Sequence, residues 1–212
     1  MIGIFGGTFD PVHFGHLRAI LEVREIFNLE EVRLIPNKTP PHRLEPLASS
    51  DARLQMLRLA TDTVSGVVID TRELDREGPS YMVDTLRSLR GDFPEPSLLL
   101  FVGSDAFSGL TNWHRWPELF DFAHIIVLTR PGCSTHQWDD YLSTRQAYES
   151  IDLAESKAGK LFFQSITQLD ISASAIRKMI AEKRNPRFLL PDNVLDYIYS
   201  HHLYQKVDLQ IS

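Results

Sequence analysis

Short apolar runs alternate along this chain with longer segments of helical periodicity, and that alternation leaves few architectures open. Ile2–Phe5, Val32–Ile35, Val67–Asp70, Leu98–Val102 and His124–Leu128 read as strands, with a weaker last strand starting at Leu161–Phe163. Helical spacing marks His16–Phe27, where Leu17, Ile20, Leu21 and Ile26 recur, then about Asp51–Val64 behind Ser49 and Ser50, and Tyr81–Leu89 behind Pro79 and Ser80. Two helices close the chain, about Ala173–Glu182 after Ser172 and about Asn193–His201 after Pro191. Strands that take turns with helices imply a parallel sheet covered on both faces, because a parallel crossover needs a helix between its strands. The expected fold is α/β, a doubly wound parallel sheet finished by C-terminal helices.

At 212 residues the chain suits a single core that needs no disulfide or metal staple, so 1–212 is read as one domain. Residues 132–160 are polar, without a sustained apolar period, and read as a peripheral insertion. Pro36, Pro40, Pro41 and Pro46 exclude regular structure from the segment after the second strand. A net charge of −6 argues against a broad nucleic-acid surface, so an anionic ligand must be caught by local positive groups. The single cysteine, Cys133, rules out an internal disulfide and fits a reducing compartment. No stretch approaches the roughly 18–20 apolar residues of a transmembrane helix. The N-terminus MIGIFGGTFD lacks the make-up of a signal peptide. A soluble, cytoplasmic protein with no membrane partner is expected.

In an open α/β sheet, ligands bind outside the carboxyl ends of the strands, near the point where strand order reverses. The oddest loop of the sequence lies at such an end: Gly6-Gly7-Thr8-Phe9-Asp10-Pro11-Val12-His13-Phe14-Gly15-His16. Gly6 and Gly7 let the backbone come close to a ligand. Thr8 offers a hydroxyl and an N–H. His13 and His16 straddle Gly15, which leaves room between them for a bulky ligand. His16 is expected to open the helix, where free N–H groups and the helix dipole favour an anion. A metal pair and a purely structural turn are the alternatives, but no third ligand follows at metal spacing. A phosphate site is the favoured reading, with no resident metal.

The run GGTFDPVHFGHL resembles the signature of the nucleotidylyltransferase superfamily, whose His-x-Gly-His motif stands here as His13-Phe14-Gly15-His16. The superfamily's second signature, Ile-Ser-x-Ser/Thr-x-x-Arg, is matched about 160 residues later by Ile171-Ser172-Ala173-Ser174-Ala175-Ile176-Arg177. The resemblance implies a Rossmann-like nucleotidylyltransferase fold with His13, His16 and Arg177 as catalytic residues. It also implies that ATP is held by Gly6, Gly7, Thr8, Phe9, His13, His16, Gly103, Asp105, Ile171, Ser172, Ser174 and Arg177. These residue types suit adenylyl transfer, which needs alignment and neutralisation of phosphate charge. Ser172 is a natural N-cap, and Arg177 can grip phosphate in a fork that lysine cannot reproduce.

Four more segments resemble the bacterial nicotinate mononucleotide adenylyltransferases: Ile35 to Arg43, Gly78 to Leu86, Gly103 to Phe107, and Trp113-His114-Arg115-Trp116. This resemblance implies transfer of the adenylyl group of ATP to nicotinate mononucleotide, giving deamido-NAD and pyrophosphate, with Mg²⁺ carried on ATP. The acceptor would be met by Thr8, Asn37, Lys38, His42, Ser80, Tyr81, Met82, Trp113 and Arg130, with Arg43 in the same loop as His42. Trp113 can stack its indole on a pyridinium ring. Asp105 can accept from ribose hydroxyls, and Arg130, after a strand, can hold the acceptor's phosphate. Met82 stands where the family commonly has Thr, and Ala173 where Ser is common. Two rival readings remain: the same chemistry on nicotinamide mononucleotide, and a non-catalytic nucleotide-binding module.

Overall fold

Alternation within single strands decides the layers. Leu98, Leu100 and Val102 belong to one buried apolar cluster and Leu99 and Phe101 to another, so this strand is packed on both faces. A computed structural model of the chain describes residues 1–38, 45–129, 140–167 and 169–205. Its strands are β1 (Ile2–Gly7), β2 (Glu31–Pro36), β3 (Val67–Ile69), β4 (Leu98–Gly103), β5 (His124–Thr129) and β6 (Leu161–Ser165). They form one parallel sheet in the order β3-β2-β1-β4-β5-β6. The helices are α1 (Phe14–Ile26), α2 (Ser50–Thr61), α3 (Arg72–Asp75), α4 (Met82–Asp92), α5 (Ser104–Ser108), α6 (Leu119–Phe122), α7 (Asp140–Ser143), α8 (Ala173–Ala181) and α9 (Asp192–Ser200).

One core lies between the sheet and Ile20 and Val23 of α1, Met56 and Leu57 of α2, Ile176 and Ile180 of α8, and Val194 and Ile198 of α9. The other joins Ile2, Ile4, Leu98, Leu100, Ile125 and Val127 to Val83, Leu86 and Leu89 of α4 and Leu119 and Phe120 of α6. The sheet is doubly wound, as expected. Among the described residues no helix is long and apolar enough to cross a membrane. Strand order reverses between β1 and β4, which puts Gly6, Gly7 and Gly103 side by side at the carboxyl ends where a ligand would sit.

Several boundaries differ from the sequence reading. Helix α1 begins at Phe14, not His16, because His13 takes the extended conformation of an N-cap and its N–H donates to Nδ1 of His16 at 3.3 Å. Helix α4 begins at Met82 with Tyr81 as its cap. Helices α3, α5, α6 and α7 have four or five residues each, too few to show a helical period in sequence. Within the polar stretch, residues 140–160 form part of the β5–β6 connection and run beside β6. Ala147 donates to Leu161 O and Leu161 to Arg145 O, both at 2.8 Å, and Leu142, Ala147 and Leu153 are buried. Cys133 lies outside the described residues.

Leu99 has no exposed surface, so Leu99→Ala should leave a cavity and lower the unfolding free energy by about 2–5 kcal/mol. Urea denaturation measures it. A loss below about 0.5 kcal/mol, the range of inert surface positions, would contradict a close-packed central strand.

Candidate active site

The loop after β1 is arranged around two histidines. His13 is buried, and its ring stacks on that of His16 with 3.7 Å between centroids. Because Nδ1 of His16 accepts the His13 N–H, its proton sits on Nε2, leaving a neutral donor. Phe9 is buried in the core, edge-on to the His16 ring at 5.2 Å, so only its backbone is left for a ligand. A Cβ on Gly15 would lie 3.0 Å from Cε1 and Nδ1 of His13. The space beside Gly15 is therefore taken by the His13 ring itself, which corrects the expectation that it is kept for a ligand. Burial holds His13 down to about 4. Burial and then the neighbouring His13 hold the half-buried His16 down to about 3. Near neutral pH both rings are uncharged.

The second motif packs against the first. Ser172 caps α8, its Oγ accepting from Ala175 N at 3.2 Å. The Ile171 carbonyl lies 3.5 Å from where a Gly15 Cβ would be. Arg177 reaches back to the first loop: Nη1 donates to Asp10 O at 2.6 Å and lies 3.7 Å from the Asp10 carboxylate. Its Nη2 donates to Ser174 Oγ at 3.3 Å. The fork expected to grip phosphate thus holds protein partners on both arms, and a phosphate would meet its exposed edge.

Two buried charged groups that sequence reasoning missed hold this arrangement. Asp10, 4% exposed, accepts from Leu47 N at 2.9 Å, Ala48 N at 3.2 Å and the Tyr204 hydroxyl at 2.6 Å. Burial and the Asp10 carboxylate push the Tyr204 hydroxyl far above its ordinary range. Arg53, 1% exposed, donates to Thr8 O and Asn37 O, both at 2.8 Å, and to Ser50 Oγ at 3.1 Å. Asp10 had a signal, its place inside the first motif. Arg53 had none, since an arginine on a helix is ordinarily exposed.

A second wall of the site comes from β2 and α4. Asn37 N donates to Gly7 O at 3.0 Å, and its Nδ2 donates to Thr8 Oγ1 at 3.2 Å. Asn37 Oδ1 is buried without a hydrogen-bond partner among the described residues. Lys38 N donates to Ser80 Oγ at 3.0 Å. A Cβ on Gly6 would lie 2.5 Å from Cε of Met82, so α4 starts directly over the end of β1. Tyr81 stacks on His114 at 4.2 Å, beside half-buried Trp113. Thr8, Asn37, Lys38, Ser80, Tyr81 and Met82 are thus contiguous, and Tyr81 brings the Trp113–His114 segment to them. Gly103 ends the neighbouring strand, and Asp105 is exposed in the first turn of α5. His42, Arg43 and Arg130 lie outside the described residues. Among the described residues no three His, Cys, Asp or Glu side chains gather as metal ligands.

A family model described as cytidylyltransferase-like matches residues 4–179. A Methylococcus capsulatus protein named "Probable nicotinate-nucleotide adenylyltransferase" is 50% identical over 210 residues, covering 97% of this chain and 100% of its own. A Pseudomonas putida (strain W619) protein of the same name is 46% identical over 207 residues, 96% of this chain and 94% of its own. Among solved structures, the nicotinic acid mononucleotide adenylyltransferase of Plasmodium falciparum, complexed with NaAD, covers 96% of both chains with a TM-score of 0.73. At 18% identity that likeness is one of fold.

The depressed histidines set a sign for pH dependence. Unfolded histidine titrates near 6.5, whereas the folded rings stay neutral down to about 4 and 3. The unfolded chain therefore takes up protons first, and stability should fall as pH drops from about 6.5 towards 4, by up to about 1.4 kcal/mol per pH unit for each ring. Proton NMR of the native rings should show no titration of His13 or His16 above pH 5. Midpoints near 6.5 would contradict their burial.

Asp10→Ala should leave the Leu47 and Ala48 amides and the Tyr204 hydroxyl without their acceptor, and should remove the carboxylate 3.7 Å from Arg177, whose bond to the residue-10 carbonyl remains. The expected loss of unfolding free energy is about 3–5 kcal/mol. A change within about 0.5 kcal/mol would mean that these bonds contribute nothing net.

Proposed function

The chain belongs to the cytidylyltransferase-like family and, within it, to the nicotinate-nucleotide adenylyltransferases, and from that premise we propose that it joins ATP to nicotinate mononucleotide, forming deamido-NAD and pyrophosphate. The observation that carries this reading is the convergence of two neutral, stacked histidines with Arg177, each from a different end of the chain. In the reaction an oxygen of the acceptor's phosphate attacks the α-phosphorus of ATP. The bond from that phosphorus to the oxygen bridging it to the β-phosphorus breaks, and the electron pair leaves with pyrophosphate. No covalent enzyme intermediate is required, so rate comes from alignment and from donors that strengthen as charge builds on phosphate oxygens.

Each residue then has a task. His13 and His16 donate hydrogen bonds to the phosphates as neutral rings, which avoids the cost of burying cations. The amino-terminal ends of α1 and α8 add partial positive charge. Arg177, held by Asp10, presents its exposed edge to the chain of phosphates, which lie along the backbone of Gly6, Gly7, Thr8 and Phe9; the side-chain space beside Gly6 and Gly7 is filled by Met82 and the Phe9 ring. Mg²⁺ carried on ATP would supply charge screening for the leaving pyrophosphate. Asp105 receives ribose hydroxyls.

The acceptor lies along Thr8, Asn37, Lys38 and Ser80–Met82. Its pyridine ring stacks on Trp113, and its phosphate is met by Arg130 and His42. The ring carboxylate faces the unpaired N–H groups at the start of α4, which suit an anion better than a carboxamide whose NH₂ would find no acceptor there. This role belongs to cytoplasmic NAD synthesis.

Pyrophosphate release from ATP, followed with each acceptor, tests the reading. It should require a pyridine mononucleotide, and kcat/KM should favour nicotinate over nicotinamide mononucleotide by about 10²-fold or more. Equal values or a preference for the amide would replace this substrate with its amide. No release with either acceptor would leave a non-catalytic nucleotide-binding module.

A further inference from the structure

Glu73 is 3% exposed, and no step above uses it. It sits in the short helix α3, yet its partners belong to α4 and to the turn before it. The Thr85 hydroxyl donates to Glu73 Oε1 at 2.6 Å, and the Ser80 hydroxyl helps to stabilise the charged form of the same carboxylate. Burial pushes the Glu73 carboxyl up, while the bonds from Thr85 and Ser80 pull it back. Ser80 passes the link onward, since its Oγ accepts Lys38 N at 3.0 Å. A second strand of contacts runs parallel: Arg76 Nη1 donates to Thr85 Oγ1, and Lys38 Nζ donates to Arg76 O, each at 3.2 Å. One buried carboxylate thereby ties the end of β2 to the start of α4.

We propose that Glu73 is a positioning residue that sets selectivity for an acceptor bearing a ring carboxylate, by fixing the start of α4 against the end of β2 through Thr85 and Ser80. The inference rests on the reading that the ring substituent meets Ser80–Met82. The N–H groups there belong to the backbone, so they can be aimed only by aiming the helix start. The cap residue Tyr81 does not do this, since it makes no side-chain capping bond. The aiming falls to Thr85 in the first turn, bonded to Glu73, and to Ser80 just before it. A charge-assisted bond to a carboxylate loses more from misplacement than a neutral bond to an amide. Loosening the helix start therefore harms the acid acceptor first.

The test is steady-state kinetics of the full-length enzyme with both acceptors. Glu73→Ala should raise KM for nicotinate mononucleotide and lower the acid-to-amide ratio of kcat/KM by tenfold or more. The KM for ATP and kcat at saturating acceptor should stay within about twofold. Glu73→Gln should retain most of the ratio, because its oxygen can still accept from Thr85 and its NH₂ can donate to the free lone pair of Ser80. Ser80→Ala, which cuts the same link without emptying the buried site, should lower the ratio as well, and it carries the test if Glu73→Ala does not fold. An unchanged ratio in Glu73→Ala or Ser80→Ala, or equal damage to ATP and acceptor, would overturn the proposal. Failure of the underlying reading is distinguishable, since the unmodified enzyme would then show no preference for the acid.

Discussion

A carboxylate buried in the first loop is the point on which the site depends. Asp10 would be costly where it lies if its oxygens were unpaired, and the fold meets that cost by bringing donors from three remote segments. The amides of Leu47 and Ala48 come from the chain leading into α2, the Tyr204 hydroxyl from beyond α9, and Arg177 from α8. Each of those segments is thereby drawn onto the loop between β1 and α1. Arg53 does the same from the other side with backbone oxygens of Thr8 and Asn37. The glycine-rich loop, which has little apolar anchorage apart from Phe9 and Val12, is held by charge placed beneath it.

The histidines follow from this support. With the loop fixed, His13 can serve as the N-cap of α1 and lie face to face with His16. Two imidazolium rings at that separation would repel each other in a poorly hydrated site, so the fold keeps both neutral. Positive charge for a polyphosphate must then come from Arg177 and from helix ends, as expected for a chain whose net charge is −6. The wall formed by β2 and α4 is built by different means, through the Thr85 hydroxyl on the buried Glu73 and the Lys38 amide on Ser80.

Much of this was legible in the sequence because it rests on residue type and local spacing. Leu98–Val102 announces a strand buried on both faces, and Ser172 announces a helix start. The loop from Gly6 to His16 shows its glycines and histidines openly. The start of α1 was misjudged because histidine is not a usual N-cap, and the cap became visible only through the bond from His13 N to His16. The place of Asp10 could not be read, since its partners lie 37, 38 and 194 positions away. Nothing in the sequence marks Arg53, since an arginine on a helix is ordinarily exposed. Glu73, in a four-residue helix, carried no pattern at all. What stayed hidden was the long-range pairing of buried charge.

The Asp10 carboxylate lies 3.7 Å from the Arg177 guanidinium, and a single phosphate site built from both motifs requires the two residues to act together in the reaction. A double-mutant cycle on kcat/KM, comparing Asp10→Asn, Arg177→Ala and the pair with the unmodified enzyme, measures that link directly. Strong non-additivity is expected, with the pair losing little more than Arg177→Ala alone. Losses that multiply independently would show that the two residues act separately and would contradict a single phosphate site.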